Sequence, residues 1–367
     1  MCEKVIVVSV RSFQEDILRF EESLNELENL VDTAGGIVVT KIVQTLKNPH
    51  PATYVGKGKF EELKEAVEKY DVFTIVFDDE LKPSQARYIG EALGKDVKIL
   101  DRSGLILDIF AQRARTVAAK TQVELAQMEY MLPRLSGMWG HLSRQYGGSI
   151  GTRGPGETQL EIDRRAIRQK ITSLKDKLKK IDMQRKVQRN ARKNKFRVAI
   201  LGYTNAGKST LINKITNADA YVENRLFATL DPKTRIFRYR DGQTILFTDT
   251  VGFIQKLPHH LIESFRSTLA EAIEADLLLI VTDASHETVE DHIEIVNKEI
   301  ERLGAKDKPN ILVFNKIDKI DEFKTLNLQS NYPEAILISA QNCEGINDLL
   351  EAILLRYESY KKIIINA

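Results

Sequence analysis

The sequence predicts an α/β protein: an amino-terminal α/β domain over 1–112 with an antiparallel helical hairpin over 113–195, then a second α/β domain over 196–356, and a short tail, 357–367. Three observations carry this reading. Short β-branched runs alternate with helical patterns through the first hundred residues, two seams of helical spacing follow, and at residue 196 a fresh apolar strand runs directly into a glycine-bearing turn. A chain of 367 residues holds two domains and a linking element, and 43% hydrophobic residues is enough to fill ordinary cores, which excludes disorder as the main state.

In the first part the β-branched runs are 5–10, 37–43, 72–77 and 97–100, with a helical pattern over 60–70. This rhythm predicts a largely parallel sheet. The stretch YVGKGKFEEL (54–63) contains GKGK without the spacing of a phosphate loop, so it reads as a helix start after a glycine turn.

The second part is helical. Apolar or small residues recur at Ala114, Ala118, Thr121, Leu125, Met128 and Leu132, and again at Ile167, Ile171, Leu174, Leu178 and Ile181. Alternating steps of four and three are coiled-coil seams, and two such seams predict an antiparallel pair burying each other. The tip, 136–156, is rich in glycine, with Trp139, His141, Arg144, Tyr146 and Arg153 interleaved. Within it GGSIGTRGPGETQ resembles a phosphate-cradling loop, but no strand feeds it and no Gly-Lys-Ser/Thr follows, so the nucleotide must bind elsewhere. From 164 to 197 fifteen Lys or Arg face two acids, Asp176 and Asp182, a balance suited to a polyanion or to a solvated helix face.

The amino-terminal stretch MCEKVIVVSVR has an acidic residue and only a six-residue apolar run, which is a strand and not a signal peptide. No apolar run approaches the roughly 20 residues needed to span a bilayer. Neither a myristoylation start nor a prenylation box is present, so the expectation is a soluble, cytoplasmic protein without a membrane anchor, and a monomer. Cys2 and Cys343 match no metal-ligand spacing and fit a reducing compartment.

The third part supplies the nucleotide site. FRVAILG is a buried strand, GYTNAGKST (202–210) follows it, and LINKI opens a helix, which is GxxxxGK[ST] in its required context. Gly202 and Gly207 allow the tight turn that aims amide donors at phosphates, reinforced by the helix dipole. Tyr203, Thr204, Asn205 and Ala206 fill the turn and offer mainly backbone contacts. Lys208 would bridge the β and γ phosphates, Ser209 would ligate Mg2+, and Thr210 completes the motif. Forty residues on, a strand ends in DTVG: Asp249 would hold a magnesium-bound water, Thr250 and Val251 lead on, and the Gly252 amide would sense the γ-phosphate. YRDGQ (239–243) reads as a hairpin turn, so an antiparallel edge strand joins a mostly parallel sheet. NKID then follows an apolar strand. Asp318 can accept both the ring N–H and the exocyclic amine of guanine, a donor pair adenine lacks, while Asn315 and Lys316 would orient and cover the base. Finally SAQ brings Ser339, Ala340 and Gln341 to the base, with the Ala340 amide toward the guanine carbonyl oxygen.

These elements resemble a translation-factor-type, Ras-like P-loop GTPase domain over 196–356. Together with GTRGPGETQLEIDRR, the segment LFATLDPKTR (226–235), DTVGFI, PHHLIESFRSTL, and in the first part GGIVVTKIVQ and NPHPATYVGKGK, they resemble the HflX family over nearly the whole chain. The resemblance implies a GTP-binding and GTP-hydrolysing switch that associates with the large ribosomal subunit and its RNA, and splits or rescues stalled or idle ribosomes. The rival function is a Ras-like switch whose hairpin binds a protein effector. By resemblance Phe227, Ala228, Thr229, Leu230 and Asp231 form switch I, with Thr229 completing the magnesium shell and Thr234 as the competing candidate. Phe253 stands where Ras-like proteins carry the water-orienting glutamine, which implies slow intrinsic hydrolysis and a stimulating partner. Asn205 resembles the asparagine of GTPases that use K+ beside the phosphates. The tip residues Trp139, Arg144, Tyr146 and Arg153 would contact ribosomal RNA by stacking and phosphate neutralisation. Some relatives continue into a further carboxy-terminal domain, which the sequence here does not show.

Overall fold

The computed structural model describes residues 3–94, 97–135, 159–190, 195–216, 226–239, 244–256 and 273–365. It divides into two compact units, one of Met1–Ile181 with Lys256–Ser264 and the other of Asp182–Gln255 with Phe265–Ala367.

The first unit is built on four parallel strands, β1 (Glu3–Ser12), β2 (Gly36–Leu46), β3 (Thr74–Phe77) and β4 (Lys98–Asp101), in the order β2-β1-β3-β4. Helices α1 (Ile17–Ala34), α2 (Lys57–Tyr70) and α3 (Pro83–Leu93) make the crossovers, and α4 (Arg102–Arg113) leads to α5 (Val117–Met131). Asp16 caps α1 by accepting from the Leu18 amide at 2.8 Å, and Gly35 ends it in the left-handed conformation. The GKGK stretch starts α2 behind Gly56, as its turn chemistry requires. Ile6, Val8, Leu63, Ile75 and Phe77 fill the core under these helices.

Inside this unit lies a buried ionic network. Asp78, fully buried, accepts from Arg102 at 2.7 Å, from Ser9 at 3.1 Å and from Lys256 at 2.6 Å; Arg102 also pairs with Glu26. Burial alone would raise the Asp78 carboxyl, but Lys256 and Arg102 outweigh it and hold the group below the ordinary carboxylate range.

Helix α6 (Gln159–Asn190) packs with the seam read from sequence turned inward: Leu174 is buried and Ile167, Ile171, Leu178 and Ile181 are half-buried between exposed Lys and Arg. Its direction, however, corrects the expected antiparallel hairpin. Lys170 pairs with Glu124 at 2.9 Å and Lys175 with Glu129 at 2.8 Å, so partners advance together along both helices and α5 and α6 run parallel where they meet. Heptad seams are indifferent to direction, and the link between residues 135 and 159 is long enough, at about 3.3 Å per residue, to span α5 more than once. That link, with Trp139, Arg144, Tyr146 and Arg153, lies outside the described residues.

The second unit has a six-stranded sheet, β10-β9-β8-β5-β7-β6, formed by β5 (Phe196–Gly202), β6 (Lys233–Arg238), β7 (Thr244–Asp249), β8 (Leu277–Asp283), β9 (Asn310–Asn315) and β10 (Ile336–Leu337). Only β6 is antiparallel, as the hairpin reading requires; residues 240–243 of that turn, like PHHLIESFRSTL, lie outside the described residues. Among the described residues the unit also holds helices α7 (Lys208–Thr216), α8 (Val289–Arg302), α9 (Glu322–Asn331) and α10 (Ile346–Ile365). The tail expected over 357–367 is therefore helix as far as Ile365. Tyr357 and Tyr360 pack on Phe196 at ring-centroid distances of 5.4 and 5.2 Å, continuing the buried face of Leu349 and Ile353. No described helix is long and apolar enough to cross a membrane.

Candidate nucleotide-binding site

The carboxyl ends of β5, β7, β8 and β9 converge on one cleft, where a parallel α/β sheet places its ligands. The strand register explains this: β5 ends at Gly202 beside Val281 of β8, and β7 ends at Asp249 beside Ile200. The cleft is lined by Thr204, Asn205, Gly207, Lys208, Ser209, Thr210, Phe227, Ala228, Thr229, Thr250, Gly252, Asn315, Lys316, Asp318, Ala340 and Gln341. All were singled out from sequence. Lys319 also lines it and was not; as the third residue after Lys316 in a single helical turn it had no motif to mark it.

The phosphate loop turns through three residues of positive φ, Gly202 at 151°, Asn205 at 59° and Gly207 at 91°. A Cβ on Gly207 would lie 2.2 Å from the Asn315 side-chain nitrogen, so only glycine fits there. Lys208 opens α7 and is buried; its ammonium donates to the carbonyls of Gly202 at 3.1 Å and Tyr203 at 2.6 Å. Burial lowers its pKa to about 8, against the pull of Asp249.

At the end of β7 three oxygens meet. The Asp249 Oδ2 accepts from Ser209 at 2.7 Å and from Thr229 at 2.9 Å, and the two hydroxyls are 3.1 Å apart. Thr234 is elsewhere, on β6, sharing a hydrogen bond of 3.0 Å with Thr248. The other Asp249 oxygen, Oδ1, is buried without a hydrogen-bond partner. Thr250 turns away to donate to the Ile200 carbonyl at 2.7 Å. Leu230 and Val251 are buried, and with Asp231 they stand outside the cleft lining.

On the base side, Asn315 donates to the Ala206 carbonyl at 2.8 Å and accepts the Ala340 amide at 2.9 Å. Asp318 is oriented by Ser339, whose hydroxyl donates to it at 2.6 Å. Lys316, at φ 67°, reaches the Asp283 carboxylate at 2.6 Å. Burial would raise Asp283, but the hydrogen bonds from Lys316 and Ser285 outweigh it and hold the carboxyl low. Asp283 ends β8, and sequence reasoning missed it, because the only signal was a carboxylate at the end of an apolar strand.

Tyr203, expected to offer mainly backbone contacts, does not line the cleft with its side chain. Its side chain is buried away from the cleft, stacked on His292 of α8 with centroids 3.7 Å apart and planes within 7°.

The arrangement joins phosphate-facing amides, a buried cation, a cluster of hard oxygens and a base-facing carboxylate, which together can hold a nucleoside di- or triphosphate. Residues 21–111 match the family described as "GTP-binding GTPase N-terminal", 113–192 "GTP-binding GTPase Middle Region", and 197–316 "50S ribosome-binding GTPase". The chain is 48% identical to "GTPase HflX" of Flavobacterium psychrophilum, covering 98% of this chain and 91% of that relative. Against the protein of the same name in Escherichia coli it is 44% identical, over 96% and 83%. Among solved structures, a "SsGBP and GDP complex" aligns with a TM-score of 0.53 at 25% identity, covering 98% of both chains. Identity of this extent runs through both α/β units and not through the phosphate loop alone, and it shows that the chain belongs to the HflX family of GTPases.

Proposed function

We propose that this GTPase is a switch that binds the large ribosomal subunit in its GTP state, acts there to split or rescue stalled or idle ribosomes, and is released by hydrolysis. The observation that carries the reading is the match of residues 197–316 to a family described as 50S ribosome-binding. The exposed Lys and Arg of α6 give it a physical basis, since each phosphate they neutralise releases counterions. Trp139, Arg144, Tyr146 and Arg153 are the RNA contacts in this reading, and the protein works as a cytoplasmic monomer.

In this role the amides of 202–210 cradle the phosphates, Lys208 bridges β and γ, and Asn315, Lys316, Asp318 and the Ala340 amide read guanine. A magnesium ion suits the oxygens at hand: Ser209 and Thr229 would ligate it, and Asp249, whose Oδ1 is buried without a partner, would hold it through a water. When bound, the ion neutralises charge developing on the phosphates. K+ beside Asn205 would add a second fixed charge. Phe253 is buried and carries no group to orient water, so intrinsic hydrolysis is slow and a partner raises it.

The test is GTP turnover with and without purified large subunits, in potassium and in sodium buffer. Strong stimulation by the subunits is expected. No stimulation, with GTP still tightly bound, would favour a switch whose helices bind a protein effector.

A further inference from the structure

Residues 252–255 are held against the phosphate loop by more than the backbone. The Phe253 amide donates to the Gly202 carbonyl at 3.1 Å, and the Thr204 amide donates to the Phe253 carbonyl at 2.7 Å. Any residue at 203 would permit these two bonds. The third is different: the Gln255 amide donates to the Tyr203 hydroxyl at 2.8 Å. Only a ring of this length carrying an oxygen at its tip supplies that acceptor. The ring cannot swing to follow Gln255, because it lies flat on His292, itself 2% exposed, in helix α8. From α8 to Gln255 the contacts are thus continuous, a ring stack and then a hydrogen bond.

What it positions is the segment that senses the γ-phosphate. A Cβ on Gly252 would lie 2.9 Å from Thr204 and 3.0 Å from the Lys208 ammonium, so this segment has no slack toward the loop. In a GTPase with glutamine after this glycine, a side chain can search for the attacking water. Here Phe253 is buried, and the geometry at the γ-phosphate rests on where the backbone of 252–255 is placed.

We propose that Tyr203 is a positioning residue for GTP hydrolysis, its hydroxyl fixing residues 252–255 at the γ-phosphate while its ring is locked by His292. The inference rests on the chain's place in a family of GTPases and is independent of the ribosome as partner. Tyr203 does not line the cleft and its hydroxyl is taken up by the Gln255 amide, so the hydroxyl serves the GTP-dependent step and not GDP binding.

The test is Tyr203→Phe, which keeps the ring and its stack and removes one oxygen. Single-turnover GTP hydrolysis is expected to slow roughly three- to tenfold, the worth of one buried hydrogen bond, with GDP affinity within about twofold of wild type. Amide exchange of the peptide containing Gln255 is expected to speed up in the same variant, a signature that a packing role of the ring would not produce. His292→Phe, which preserves a flat stacking partner, is expected to keep the rate. An unchanged hydrolysis rate in Tyr203→Phe, or a fall in GDP affinity as large as the fall in rate, overturns the proposal; loss of GTP binding altogether would instead strike at the nucleotide site itself.

Discussion

Asn315 and Ala206 are 109 residues apart in sequence, yet the Asn315 amide donates to the Ala206 carbonyl at 2.8 Å. Its oxygen meanwhile accepts the Ala340 amide at 2.9 Å. One buried side chain therefore ties the glycine turn of 202–207 to the segments at 315–318 and 339–341, and Gly207 must lack a Cβ to let it pass. The Asp318 side and the Lys208 side of the cleft are set by the same residue.

Replacing Asn315 by Ala leaves a buried carbonyl and a buried amide without their partner. Each such loss costs about 1–3 kcal/mol, so GDP affinity should fall by at least about thirtyfold. Asn315→Asp should be no better, since it sets a carboxylate against the Ala206 carbonyl. Fluorescent-nucleotide titration measures both; affinities within threefold of wild type would show that the tie does not organise the cleft.

Lys208 makes nucleotide binding take up protons. Buried without phosphates, it titrates at about 8; phosphates beside it restore the charged form. At pH 8 about half a proton should be taken up per nucleotide bound, and little at pH 7, so affinity falls as pH rises through this range. The sign for the empty protein is opposite: the unfolded lysine, near 10.4, binds more protons between pH 8 and 10, so stability rises there. Calorimetric titration in buffers of different ionisation enthalpy reads the uptake directly, and equal heats in all buffers at pH 8 would contradict it.

The nucleotide cleft was largely legible because phosphates and guanine impose residue types at fixed spacings: Gly207, Lys208 and Asp318 are each the answer to a local chemical demand. What stayed hidden depends on strands distant in sequence. Lys316 gains its anchor from Asp283 on β8, and Tyr203 its stack from His292 on α8, and neither pairing leaves a spacing to read. Heptad seams recorded which faces of α5 and α6 are apolar but not their direction. The extension of α10 did leave a signal, since Tyr357 and Tyr360 continue the period of Leu349 and Ile353 past Arg356.

The ionic network of the first unit predicts a stability effect without a nucleotide effect. Asp78→Ala removes one of the two carboxylate partners of the buried Arg102 guanidinium, and a buried charge left short of compensation costs about 3–5 kcal/mol. Because the folded carboxyl titrates below its unfolded value, the stability it contributes is present above about pH 4 and is lost as pH falls through the folded value. Denaturant unfolding of the full chain at pH 7 should show the loss, with GDP affinity unchanged. A variant as stable as wild type would mean that Glu26 alone satisfies Arg102.

Sequence spacing leaves both Thr229 and Thr234 open as the threonine that completes a magnesium shell, and their surroundings differ. Thr229 shares Asp249 with Ser209, all within 3.1 Å, whereas Thr234 is engaged with Thr248 between β6 and β7. A hydroxyl that joins the ion only when the γ-phosphate is present should matter for triphosphate and not for diphosphate. Thr229→Ala is therefore expected to weaken binding of a non-hydrolysable GTP analogue in magnesium about tenfold, the loss of one contact to a charged centre, and to leave GDP affinity within about twofold. Chelating magnesium should erase the difference between Thr229→Ala and wild type. Thr234→Ala should behave like wild type in all three measurements. If the two substitutions weakened the analogue equally, the assignment of Thr229 would be wrong and the convergence at Asp249 would be a packing feature of the strand end.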